Sequence, residues 1–133
     1  MIVLDTHALV WWADGGAELS VLAKKAIDGE LADGDGLLLV SSISAWEIAL
    51  LVRKGRLVLS TDVGTWLESV ADVDAVRFVP VDNQVAVQST QLPDPFHADP
   101  ADRMIVALAR RVSSALVTAD ARIRAYRHVR TIW

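Results

Sequence analysis

Short apolar runs that alternate with helical patterns constrain the fold of this chain more than any other feature of its sequence. Residues 37–40 are four apolar residues in succession, which is typical of a strand buried on both faces of a parallel sheet. Helical periodicity separates the apolar runs, and this alternation favours crossovers between parallel strands. We therefore predict an α/β fold, a three-layer α/β/α sandwich around a central, mostly parallel sheet. The predicted strands are residues 2–4, 37–40, 76–81, 116–119 and 128–132.

Capping residues mark the starts of several predicted helices. Ser20, Asp62, Asp82 and Asp99 each precede a helical pattern, and each has a side-chain oxygen that can accept a hydrogen bond from the first turn. Gly55 stands where glycine often terminates a helix. The predicted helices are residues 8–13, 21–31, 43–54, 63–72 and 83–91, one that begins at residue 100, and a last short one after residue 120.

Two of these helices carry specific expectations about packing. The helix at residues 43–54 is apolar nearly all round, which predicts that other elements sandwich it. In the helix at residues 21–31, periodicity predicts that Leu22 and Ala26, with Ile27 beside them, face the core.

Length, composition and charge limit the class of protein. The 133 residues predict a single domain over residues 1–133, and 53% of them are hydrophobic. This fraction exceeds the usual one, so we expect a homodimer or a partner protein to cover part of the apolar surface. The net charge of -4 argues against binding nucleic acid by bulk electrostatics, but not against a nuclease whose metal ions neutralise the phosphate.

Other functional classes are excluded by what the sequence lacks. The absence of cysteine rules out a disulfide scaffold and thiol catalysis. The first residues have no basic leader pattern, and no run approaches the roughly 18 apolar residues of a membrane span. We therefore expect a cytoplasmic protein with no membrane partner.

Four acidic residues occupy positions where isolated carboxylates are costly or where the sheet should bring them together. Asp5 and Asp120 follow predicted strands, and Thr118 adds a hydroxyl beside Asp120. Glu47 and Asp102 lie on apolar helical stripes that should face the core. Each residue alone has an ordinary explanation as a cap, a turn residue or half of an ion pair. Four carboxylates in one place repel one another, and a divalent cation would supply the counter-charge.

The absence of cysteine and of paired histidines at ligand spacing indicates Mg²⁺ or Mn²⁺ rather than zinc. Other classes of protein remain open at this point. A receiver domain would have a lysine after a late strand, and a haloacid-type phosphatase would have an aspartate at position 7, where this chain has His7. A nucleotide-binding module would have a glycine-rich loop after the first strand. A catalytically silent interaction protein would spread its acids as caps and surface charges.

Four motifs carry a family resemblance that covers essentially the whole chain. VLDTHALVWW, SSISAWEIALLVRKGRLVL, HADPADRMIVALA and ALVTADARIRAY together resemble the PIN-domain toxins of the VapC type, ribonucleases of bacterial toxin–antitoxin pairs. The resemblance implies a PIN-like fold, an RNA substrate, a VapB-like antitoxin as partner, and one or two Mg²⁺ or Mn²⁺ ions. It also implies the catalytic and metal-binding residues, which are Asp5, Glu47, Asp102 and Asp120.

Further residues are secondary candidates around that acidic site. Thr118 is similar to a family hydroxyl that helps to position water or metal, and Thr6 and Asp99 lie close to the site in sequence. Asp99 ranks behind Asp102 because the resemblance implies a site built on the aspartate directly before the arginine, which is Asp102 before Arg103. Basic residues just after the Glu47 helix and after Asp120 are candidate contacts to RNA phosphates, although solvated surface charge explains each equally well; they are Arg53, Lys54, Arg56 and Arg122. We interpret His7, His97 and His128 as structural or surface residues.

Overall fold

A five-stranded sheet in which every neighbouring pair of strands is parallel forms the centre of the protein. We describe residues 1–133 from a computed structural model. The strand order is β3-β2-β1-β4-β5, so the order reverses beside the central β1. Ligands of open α/β sheets bind at such a reversal, outside the carboxyl ends of the strands. The strands are β1 (Ile2–Leu4), β2 (Leu38–Ser41), β3 (Val76–Val79), β4 (Leu116–Val117) and β5 (Thr131–Ile132).

Seven helices connect and cover these strands. The predicted caps are confirmed, because the side chains of Ser20, Asp62, Asp82 and Asp99 each accept a hydrogen bond from a first-turn N–H. Gly55, which follows the end of the third helix, has φ +71, a left-handed conformation that glycine adopts readily. The helices are α1 (Thr6–Ala13), α2 (Val21–Ala32), α3 (Ser42–Arg53), α4 (Val63–Ala71), α5 (Asn83–Thr90), α6 (Pro100–Arg111) and α7 (Ala121–Arg124).

The sheet has a hydrophobic core on each face, which confirms the three-layer sandwich. Side chains alternate along a strand, so Ile2 and Leu4 of β1 enter one core while Val3 enters the other. The first core contains residues of α1, α2, α3 and α4, and the second contains residues of α5, α6 and α7. The two cores hold the carboxyl ends of β1 and β4 firmly in place between the layers.

Two packing predictions are wrong. The α3 helix is not sandwiched, because only Ser44 and Ile48 on it are fully buried and Trp46 is 57% exposed. Leu22 does not face the core, since it is 60% exposed. The α2 helix packs through Ala23 and Ile27, which lie four residues apart on one stripe, and Leu22 is rotated about 100° away from Ala23.

Several element boundaries also differ from the predicted ones. The α1 helix begins at Thr6, immediately after Asp5, rather than at residue 8. The β3 strand ends at Val79, because the following Pro80 has no N–H to donate to the ladder. The β4 and β5 strands contain only two residues each. No helix combines the length and the apolar composition that crossing a membrane requires.

Candidate active site

The candidate site lies at the carboxyl ends of β1 and β4, where the strand order reverses. Asp5 follows β1 and accepts a hydrogen bond from the N–H of Thr6 at 2.8 Å. Asp120 lies three residues after the end of β4 and accepts from the N–H groups of Arg122 and Ile123 at 2.8 and 3.1 Å. Both aspartates therefore act as helix caps. The capping bonds of both aspartates use only Oδ1, so this role does not prevent Oδ2 from taking part in a site.

Asp5 is the most deeply buried of the four acidic residues, at 5% exposure. The hydroxyl of Thr118, which is fully buried, donates a hydrogen bond of 2.6 Å to Asp5 Oδ2. Burial raises the pKa of Asp5 above its ordinary value, and the hydrogen bonds from Thr118 and from the Thr6 N–H oppose that rise. Thr118 also accepts from the Asp120 N–H at 3.1 Å, so one hydroxyl links the two strand-end aspartates.

Glu47 projects from α3 toward Asp5 and is held by a chain of two hydroxyls. Thr6 Oγ1 donates to Glu47 Oε1 at 2.6 Å, and Ser44 Oγ lies 2.8 Å from Thr6 Oγ1. Because Thr6 has one proton and gives it to the carboxylate, Ser44 is the donor to Thr6. Burial raises the pKa of Glu47, the Thr6 hydrogen bond opposes the rise, and the negative charges of Asp5 and Asp102 add to it.

Asp102 is the third acid, on the inward-facing side of α6 as its periodicity predicts. Its side chain is 13% exposed, and His97 Nε2 donates to Asp102 Oδ2 at 2.7 Å. Burial raises the pKa of Asp102, the His97 hydrogen bond lowers it, and repulsion from Asp5 raises it. Asp99 is exposed and accepts from the Asp102 N–H at 3.1 Å, which is the geometry of an N-cap.

Arg122 is the basic residue that the fold brings to the acids. Its Nη2 lies 3.6 Å from Asp102 Oδ2 and 3.4 Å from Asp120 Oδ2, so one guanidinium bridges the two carboxylates. Partial burial pushes the pKa of Asp120 upward, but hydrogen bonds from the Ile123 N–H and from Arg122 outweigh that effect, and the pKa is lowered.

The other predicted RNA contacts lie elsewhere. The end of α3 at Arg53 is six residues beyond Glu47, about 9 Å along the helix axis. Lys54 and Arg56 follow that end, and all three side chains are exposed.

The four carboxylates form one electrostatic unit. Repulsion acts between Asp5 and each of the other three, and between Asp102 and both Glu47 and Asp120. Hard oxygen donors that repel one another in a partly buried site fit a divalent cation such as Mg²⁺ or Mn²⁺. The bridging position of the Arg122 guanidinium is a second sign of this fit, because a positive group already lies between two of the carboxylates. As placed, no three Asp, Glu or His side chains form a ready-made ligand group.

Two residues of this network, Ser44 and His97, are not among the predicted site residues. Ser44 lies three residues before Glu47 on α3, and positions i and i+3 share a helix face, so helical spacing could have indicated it. His97 was interpreted as a structural or surface residue, whereas it is 18% exposed and bonded to Asp102. It lies in the loop before α6, and loop residues carry no periodicity that would predict their contacts.

The fold and the site together agree with one family of proteins. The profile of the PIN domain matches residues 2–129, and the chain belongs to the PIN domain family. It is 40% identical over 134 residues to Ribonuclease VapC22 of Mycobacterium tuberculosis, which covers 99% of this chain and 98% of that protein. The resemblance that the four sequence motifs carry is thereby confirmed.

Solved structures support the same fold. The chain is similar to a structure of VapBC2 from Rickettsia felis bound to a DNA fragment from its promoter, with a TM-score of 0.67 and 15% identity over 98% of this chain and 97% of that one. It is also similar to FitAcB from Neisseria gonorrhoeae, with a TM-score of 0.66 and 21% identity over 98% and 96% of the two chains. At these sequence identities, the similarity is evidence for a shared fold only.

Proposed function

We propose that this protein is a metal-dependent endoribonuclease and the toxin of a toxin–antitoxin pair. The observation that carries the proposal is the convergence of Asp5, Glu47, Asp102 and Asp120, from four separate parts of the chain, at the reversal point of the sheet. The 40% identity to a protein named as a ribonuclease supports RNA as the substrate. The reaction is the addition of water across a phosphodiester P–O bond.

The four carboxylates are the groups that would hold Mg²⁺ or Mn²⁺, as one or two ions. When bound, such an ion supplies Lewis-acid chemistry, which neutralises phosphate charge and makes water a stronger nucleophile. The chain's own residues position these carboxylates. Thr118 orients Asp5 from the sheet, and the pair of hydroxyls on Thr6 and Ser44 orients Glu47.

Arg122 and His97 have a different role, because both contact the same oxygen of Asp102. The Arg122 guanidinium balances negative charge that the site otherwise leaves uncompensated, and His97 fixes the Asp102 carboxylate through its hydrogen bond. Arg122 is 61% exposed and can therefore move toward the phosphate of an RNA strand, where arginine forms strong charge-assisted hydrogen bonds. Arg122 therefore places positive charge where the negative charge of the substrate arrives.

The proposed protein partners are a VapB-like antitoxin and a second copy of this chain. Structures similar to this chain include VapBC complexes, which supports an antitoxin. The half-exposed apolar face of α3, with Trp46 at 57% exposure, is surface that a partner would cover. Light scattering of the free protein should give the mass of a dimer, and coexpression with the product of the adjacent gene should give a stable complex. A monomer that does not bind that product would contradict both the proposed dimer and the proposed antitoxin complex.

RNA hydrolysis with Mg²⁺ or Mn²⁺ tests the enzymatic part of the proposal. The parent should cleave RNA with either ion and stop when EDTA is added, and Asp5→Asn should lose activity. Asp28→Asn is the matched control, because Asp28 lies on the exposed face of α2 and pairs only with Lys24. The control should cleave like the parent. Equal cleavage by parent and Asp5→Asn, or full activity in EDTA, would refute the metal-dependent mechanism.

A further inference from the structure

A pocket of about 390 Å³ lies next to Asp102 and Asp120, on the side of the acidic site where His97 and Arg122 are found. This volume lies within the range of sites that bind small molecules. Two of its lining residues also belong to the acidic site, since His97 and Arg122 contact Asp102 Oδ2 at 2.7 and 3.6 Å. The residues that matter for its chemistry are Phe96, His97, Arg122, Tyr126, Arg127 and His128.

Four aromatic rings form a continuous wall of this pocket. The ring centroids are 4.3 Å apart for His97 and Phe96, 4.4 Å for Phe96 and Tyr126, and 5.2 Å for Tyr126 and His128. Aromatic side chains beside a nucleic-acid site bind unstacked bases, because every base presents a π-face for stacking. Of these four rings, only that of His97 contacts the acidic site, through Asp102, and the proposed reaction gives no role to Phe96, Tyr126 and His128.

The aromatic wall is held rigidly from behind. Tyr126 is 5% exposed, and its hydroxyl donates to the Pro93 carbonyl at 2.6 Å. Arg103 donates to the carbonyl oxygens of Phe96 and His97, at 3.2 Å in each case, and its guanidinium lies 5.9 Å from the centre of the Phe96 ring. A wall fixed in this way loses little conformational freedom when a planar ligand stacks on it.

Two arginines stand at the rim of the pocket. Arg122 and Arg127 are both exposed, and Arg122 reaches from the pocket to Asp102 and Asp120. Arginine side chains at this position would contact the phosphates that flank a bound base. The pocket thus combines a stacking surface with positive charge, which is the combination that single-stranded nucleic acid requires.

We propose that this pocket binds the base of one nucleotide adjacent to the scissile phosphate, and that it contributes to the choice of cleavage site. The proposal rests on the proposed ribonuclease function. A phosphate held at the carboxylates places its neighbouring nucleotide beside His97 and Arg122, which are the residues common to the site and the pocket. An RNA strand is favoured over a peptide because the stacking wall lies within one nucleotide of the place where the phosphate would react.

The experiment compares cleavage of an RNA oligonucleotide with cleavage of copies that each lack one base near the cut. In the parent, one abasic position should lower kcat/KM about tenfold, mainly through KM. The variants Phe96→Leu and His128→Ala should cleave the intact RNA about tenfold less well. They should lose nothing more at that abasic position, because the contact is already missing.

Phe78→Leu is the matched control, since Phe78 is the only other phenylalanine and packs against the core on the opposite face of the sheet. It should keep the parent's sensitivity to the abasic position. His128→Ala should fold like the parent, because it retains the backbone carbonyl that accepts a hydrogen bond from Arg110. Cleavage by Phe96→Leu and His128→Ala that equals the parent's on every substrate would overturn the pocket proposal while leaving the ribonuclease function intact.

A binding measurement separates failure of the pocket from failure of the function. AMP, GMP, CMP and UMP are titrated into the parent with Mg²⁺, and the ring resonances of Phe96 and His128 are followed by NMR. At least one nucleotide should shift these resonances in the parent, and Phe96→Leu should weaken its binding about tenfold. If the parent cleaves no RNA, shifts of these rings would still support the pocket, and unshifted rings would overturn it.

Discussion

Substitutions of the two aspartates at the start of α6 should have opposite effects, one on stability and the other on catalysis. Asp99→Ala removes the acceptor of the Asp102 N–H, a bond of 3.1 Å at the helix N-cap. Loss of such a cap costs about 1 kcal/mol, which corresponds to a melting temperature lower by about 3 to 4 °C for a domain of this size. Relief of the repulsion between Asp99 and both Glu47 and Asp102 offsets part of this cost. Cleavage of RNA should persist at roughly a tenth or more of the parent's kcat/KM, because the cap holds backbone rather than metal.

Asp102→Asn should have the reverse effect. The amide keeps the volume of the side chain and can still bond to His97, so the melting temperature without metal should equal or exceed the parent's. One unit of charge is lost from the proposed metal site, and kcat/KM should fall roughly 100-fold or more. The assay is RNA hydrolysis with Mg²⁺ or Mn²⁺, alongside thermal melts in EDTA and in metal.

Asp99→Asn provides the control for charge, because it keeps a capping oxygen and removes the negative charge. It should melt like the parent and cleave like Asp99→Ala or better. The reasoning is refuted if Asp99→Ala melts like the parent but is inactive while Asp102→Asn cleaves normally. The third acid of the site would then be Asp99, one helical turn closer to the start of α6.

Three further results are expected. Glu47→Gln should abolish cleavage while the melting temperature in EDTA stays the same or rises, since a repelled, partly buried charge is removed; a large loss of stability would instead indicate a structural ion pair. Thr118→Val should destabilise the protein by about 1–3 kcal/mol and reduce activity, because Asp5 loses its 2.6 Å donor; urea unfolding and the cleavage assay measure the two effects. The hydrogen bond from Arg111 lowers the pKa of Asp82 below 3.8. The parent should therefore be more stable than Asp82→Asn at neutral pH, and this difference in unfolding free energy should disappear as the pH falls below that value. A difference that persists in acid would contradict the assignment.

Local signals in the sequence predicted much of this fold. A cap needs only a short polar side chain before a helix, so Ser20, Asp62, Asp82 and Asp99 could be identified from neighbouring residues alone. Packing was less predictable where two adjacent stripes of a helix both carry apolar residues. Leu22 was expected inside and is 60% exposed, because hydrophobicity does not state which of two adjacent stripes meets the sheet.

The same distinction applies to the site, where some residues are predictable from local sequence and others only from contacts between distant segments. That Asp102 faces inward follows from the helical period, and that Asp5 and Asp120 end strands follows from the apolar runs before them. The hydroxyl pair of Thr6 and Ser44 joins residues 38 positions apart. No pattern in the chain connects such positions, so only the packing of α3 against α1 could reveal their contact.

The sequence by itself determined the alternation of strands and helices, the parallel sheet that follows from it, and the four acids at strand ends and on apolar stripes. These are properties of short segments, and they depend on periodicity and capping. The tertiary structure decided the order β3-β2-β1-β4-β5, the bridge of Arg122 between Asp102 and Asp120, and the aromatic pocket beside it. Those features arise where distant segments meet, and their geometry depends on how the two cores pack on the sheet rather than on the residues of any one segment.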